Sequence, residues 1–74
     1  MSETPTARAV VGVRGMETPE SRQRVRLALA AVAGVKDVQA GDGAKMVVDY
    51  DPTEATVMDL IRALRRIGFL AGME

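Results

Sequence analysis

Two stretches of helical periodicity, each bracketed by runs of strand periodicity, leave this chain few ways to fold. Val25, Ala28, Leu29 and Val32 recur at i, i+3, i+4 and i+7, and Val57, Leu60, Ile61, Leu64 and Ile67 repeat that stripe. Each segment therefore reads as a helix with one apolar face. Ahead of the first helix, Ala9, Val11 and Val13 alternate with Val10, Gly12 and Arg14 over residues 7–14. Between the helices, Met46, Val48 and Tyr50 alternate with Lys45, Val47 and Asp49. This period of two marks strands buried on one side. Val35 to Ala40 reads as a further strand, with Val38 and Ala40 facing the same way, and Phe69-Leu70-Ala71 as a short closing one.

Punctuation supports these boundaries. Thr18 is a cap, Pro19 suits the first helical position, and Glu20 complements the positive end of the helix dipole. Gly34 is expected to end that helix as a left-handed cap, and Gly68 the second one. Thr56-Val57-Met58-Asp59 has the form of a capping box. Gly41-Asp42-Gly43 predicts an antiparallel hairpin between the second and third strands. The order is βαββαβ, for which an antiparallel four-stranded sheet with both helices on one face is the natural two-layer packing. With right-handed connections this is an α+β, ferredoxin-like sandwich.

A chain of 74 residues has room for one small domain, and such chains often rely on disulfides or a structural metal. This one has no cysteine and no histidine, so its 47% apolar content must build the core alone. Residues 1–6 are polar and read as a disordered tail, leaving 7–74 as the domain. Ten basic and ten acidic residues balance, which argues against nucleic acid as a partner. No apolar run is long enough to insert in a bilayer, and the N-terminus lacks the pattern of a signal peptide, so a cytoplasmic protein is expected.

Several segments together resemble the heavy-metal-associated domain of copper chaperones and metal-transporting ATPases. They are Val13-Arg14-Gly15-Met16, Val25 to Leu29 with the Gly34-Val35 exit, Val48-Asp49-Tyr50-Asp51-Pro52, and Ile67-Gly68-Phe69. The resemblance spans about Ala9 to Ala71. It implies a loop of the form GMxCxxC that holds Cu(I), Zn(II) or a related ion between two thiolates. Thr18 and Ser21 occupy the two cysteine positions. Hydroxyls are hard, weak donors where soft ions select sulfur, so no metal or other cofactor is expected at the family's site.

In that family the metal loop is also a docking surface, and the resemblance extends this to Gly15, Met16, Glu17, Thr18, Pro19, Glu20, Ser21 and Phe69. The implied partner is a protein: a metal-transporting ATPase, a like-folded domain, or a second copy of the chain. One alternative retains a weak metal ion through carboxylates, Met16 or ligands from a partner. Another is a ferredoxin-like module that binds a small effector.

Plainer roles are available for each residue. Glu17 and Glu20 complement the helix dipole, and two carboxylates fall short of a calcium shell. Met16 reads as a core residue under the loop. Met58 starts the second helix, and Met73 lies on the closing strand, which runs away from the loop. Arg22, Arg24, Arg26, Arg62, Arg65 and Arg66 read as solvated helix surface. Tyr50 and Phe69 are too few aromatics to stack RNA bases. With no histidine base beside Thr18 or Ser21, the chain is not expected to be an enzyme.

Overall fold

The computed structural model describes residues 5–73, apart from the side chain of Met73. In order, the elements are β1 (Ala7–Arg14), α1 (Pro19–Ala30), β2 (Val35–Ala40), β3 (Lys45–Tyr50), α2 (Val57–Arg66) and β4 (Leu70–Met73). The strands form one sheet in the order β2-β3-β1-β4, and every pairing is antiparallel. Helix α1 packs beside β2, α2 beside β4, and the two helices touch each other. This is the ferredoxin-like sandwich expected from the periodicities.

The alternation in the strands explains the layering. Ala9, Val11 and Val13 of β1 and Met46, Val48 and Tyr50 of β3 are buried, and they meet Val25 and Leu29 of α1 and Leu60 and Leu64 of α2 in one core. Leu29, Leu60, Leu64 and Val11 are among the largest fully buried side chains of the described residues. Each such aliphatic group contributes roughly 1.5–3 kcal/mol relative to exposure, and nothing covalent supplements them. Ala28, Val32, Val57 and Ile67, read as parts of the two stripes, are half-buried at their margins. Ala40 shares the face of Val38 by alternation but is exposed, because it ends the edge strand β2.

Helix α2 begins with the full capping box: the Thr56 hydroxyl accepts from Asp59 N–H, and the Asp59 carboxylate accepts from Thr56 N–H at 2.9 Å. It ends as a Schellman motif. Gly68, at φ +94, donates to the Arg65 carbonyl, and Phe69 N–H reaches back to the Leu64 carbonyl at 3.0 Å.

Two boundaries differ from the sequence reading. Helix α1 stops at Ala30 with Ala31 as its cap, three residues before Gly34. Gly34 instead sits in a turn closed by Val35 N–H donating to the Val32 carbonyl, at φ +93. Its carbonyl accepts from Asp51 N–H at 2.7 Å, so the glycine joins the α1–β2 turn to the β3–α2 loop. The closing strand starts at Leu70, not Phe69, because Phe69 N–H is committed to the Schellman bond. Of the tail, residues 1–4 lie outside the described residues. Pro5 and Thr6 have no regular structure, and the Thr6 hydroxyl accepts from Lys36 Nζ.

Candidate functional site

The β1–α1 loop gets its shape from three local interactions. Gly15 leaves β1 at φ +95, a left-handed conformation that side-chain-bearing residues rarely adopt. The chain then turns inward and drives Met16 into the core, where it is 3% exposed. Thr18 takes extended backbone angles and caps α1, its Oγ1 accepting from Ser21 N–H at 3.1 Å. Pro19 opens the helix, where its missing N–H costs nothing.

This capping geometry brings the two key positions together. Thr18 is the cap and Ser21 the third helical residue, and the Thr18 hydroxyl donates to the Ser21 hydroxyl at 2.9 Å. Thr18 Oγ1 is thus both donor and acceptor inside the loop. Two neutral hydroxyls occupied with each other and with the helix backbone are a poor donor set for a soft ion. Among the described residues no group of three or more acidic side chains converges to replace them. The residues present do not fit the soft-metal site that the resemblance implies.

The remaining candidate residues take distinct places. Glu17, Pro19 and Glu20 are exposed, with Glu20 in the first turn of α1. Phe69 is half-buried, and its ring lies over the loop: a Cβ on Gly15 would stand 3.6 Å from Phe69 Cδ1. The surface thus consists of Gly15, Glu17, Thr18, Pro19, Glu20, Ser21 and Phe69, with Met16 holding it from beneath rather than taking part in it.

Two arginines read from sequence as solvated surface act on this site. Arg22 Nε donates to the Met16 carbonyl at 3.2 Å, which ties the first turn of α1 back to the loop. Arg24 lies over the Phe69 ring, with Cζ 5.8 Å from the centroid, within the range of a cation–π contact. A one-turn spacing from the cap puts Arg22 within reach of the loop. Nothing in the linear pattern relates Arg24 to Phe69.

The chain superposes on solved metal-handling domains along almost its whole length. The oxidized MerP of Ralstonia metallidurans CH34 matches with a TM-score of 0.89 and 24% identity, covering 95% of this chain and 99% of that one. The fold is that of the heavy-metal-associated domain. Two further structures of this kind lie slightly above it in identity. One is the N-terminal domain of a potential copper-translocating P-type ATPase from Bacillus subtilis in the Cu(I)-loaded state, with 26% identity, a TM-score of 0.84, and 93% and 88% of the two chains covered. The other is the N-terminal domain of ZntA in its Zn(II) form, at 29% identity and a TM-score of 0.79 over 90% of each chain. No protein-family model and no curated protein sequence matches the chain. No helix among the described residues is long and apolar enough to cross a membrane.

Proposed function

We propose that this chain is a heavy-metal-associated-type domain of metal homeostasis that works by docking to a protein partner, without carrying a soft ion itself. The partner class is a like-folded domain, such as the N-terminal domain of a metal-transporting ATPase, or a second copy of this chain. One observation carries the reading. The Gly15–Ser21 loop is held in shape by Met16, the Thr18 cap and the Arg22 bond, with no metal required. A surface organised in advance loses little entropy on binding. Glu17 and Glu20 give it an acidic rim that favours a basic counterpart, and Phe69 offers an apolar centre. The potential copper-translocating ATPase and the Zn(II) form named for two of the similar structures support the setting.

Amide chemical-shift mapping tests this with the N-terminal domain of the host's own metal-transporting ATPase, alongside sedimentation of the chain alone. We expect a complex or a dimer whose shifts centre on Gly15, Glu17, Glu20 and Phe69. Glu17→Lys with Glu20→Lys should weaken it about tenfold or more. Binding that tolerates both this pair and Phe69→Ala would place docking elsewhere, and a chain that is monomeric and inert to the ATPase domain would refute the reading.

A further inference from the structure

The face of the sheet turned away from the helices has an unusual gap. Gly12 of β1 pairs directly with Gly72 of β4, and Gly12 also faces Lys45 of β3. Alternation with the buried Val11 and Val13 puts Gly12 on the open face, and its partner Gly72 with it. Adjacent glycines inside a sheet forfeit side-chain packing, and they mark places where a ligand or another backbone comes close. A Cβ on Gly72 would meet nothing within 4 Å.

The gap is the floor of an open cleft of about 510 Å³. Leu70, 66% exposed, forms an apolar wall. Arg14, Lys45 and Arg65 also line the cleft, Arg65 being delivered by α2 at the β4 edge, and among the described residues no acidic side chain lines it. Among the described residues, neither Arg14 nor Arg65 has a hydrogen-bonded or ion-paired partner for its guanidinium. The volume falls in the range of roughly 300–1,000 Å³ typical of small-molecule sites. Two arginines with no such partner among the described residues, beside an apolar floor, call for an occupant that is negative at one end and flat and apolar at the other.

We propose that this cleft binds a small organic anion, its apolar body on the Gly12–Gly72 floor against Leu70 and its carboxylate, sulfonate or phosphate held by Arg14 and Arg65. The site lies on the sheet, beside the proposed docking surface, with Arg14 next to Gly15 and Leu70 next to Phe69 in the chain. A peptide strand added to the free edge of β4 would bond through its main chain and would need neither the bare floor nor the arginines.

Anilinonaphthalene sulfonate is the probe, titrated into the full chain under native conditions and followed by fluorescence and amide shifts. Its neutral counterpart phenylnaphthylamine serves as comparator. We expect saturable one-to-one binding of the sulfonate, with shifts at Gly12, Leu70 and Gly72, and binding of the neutral amine weaker by about tenfold. Gly72→Val, which fills the floor at a strand position without positive φ, should weaken the sulfonate by roughly tenfold or more. Arg14→Gln and Arg65→Gln should each weaken it by about fivefold, a loss that added salt reproduces. The arginine variants decide the matter should Gly72→Val fail to fold. Equal binding of the neutral amine, binding that survives all three substitutions, shifts confined to the helices, or no saturable binding would each overturn the proposal. Stronger binding of an acidic peptide, with shifts along the β4 backbone edge, would overturn it in favour of strand addition.

Discussion

Single residues decide whether the loops of this domain hold together. Gly34 is the tightest such point. It needs φ +93, and a Cβ there would sit 2.8 Å from the Glu54 Cβ. Left-handed strain and this clash act together, so Gly34→Ala should destabilise the domain by at least about 2 kcal/mol, read as a lower urea midpoint at unchanged slope. Asp51, on the other side of the same junction, is a buried carboxylate that accepts from Thr53 Oγ1 at 2.6 Å and Thr53 N–H at 2.8 Å. The Thr53 hydroxyl, then its amide, hold the Asp51 carboxyl below the ordinary carboxylate value, and the hydrogen bond from Arg8 does the same for Asp49. A depressed folded value means the stabilising contribution is complete above the unfolded value of 3.8 and is lost as pH falls through the folded one. Thermal unfolding followed against pH should therefore show stability falling below about pH 4. Asp51→Asn should flatten that fall.

At the scale of elements, the β1–α1 unit holds its loop through the start of a helix. The cap position and the third residue of α1 converge by backbone geometry alone, which is why Thr18 and Ser21 touch. Thiols at the same two positions would converge likewise. The positive end of the helix would favour their thiolate forms. Thr18→Cys combined with Ser21→Cys should therefore create a Cu(I) or Zn(II) site of submicromolar affinity, while the unaltered chain binds neither ion more tightly than about 10 μM. Competition against a chelating indicator measures both. An inert double variant would mean that the loop backbone has departed from the metal-holding form. The two helix ends make a related contrast. The Gly68 exit of α2 was legible because a Schellman glycine directly follows the apolar stripe. Gly34 follows Val32, the last stripe residue of α1, by two positions, but it serves a turn whose partner loop is some twenty residues further along the chain.

For the molecule as a whole, the core must supply all of the stability. On the metal-free reading proposed above, chelators should leave the melting temperature unchanged; calorimetry with and without EDTA checks this. Much of this architecture is determined by sequence alone. Periods of two and 3.6 specify which faces are apolar, and the punctuation by Thr18-Pro19, Gly41-Asp42-Gly43, Thr56 and Gly68 specifies where elements begin and end. These are local backbone effects, so βαββαβ order and a one-sided core follow from the chain itself. The tertiary structure decided what depends on distant parts meeting. It set Phe69 over Gly15 and Arg24 over Phe69. It brought Gly34 against Glu54, and it laid Gly12 beside Gly72 to open a cleft between Arg14 and Arg65. Those contacts join residues up to sixty positions apart, and strand register and helix packing, which no local pattern encodes, bring them together.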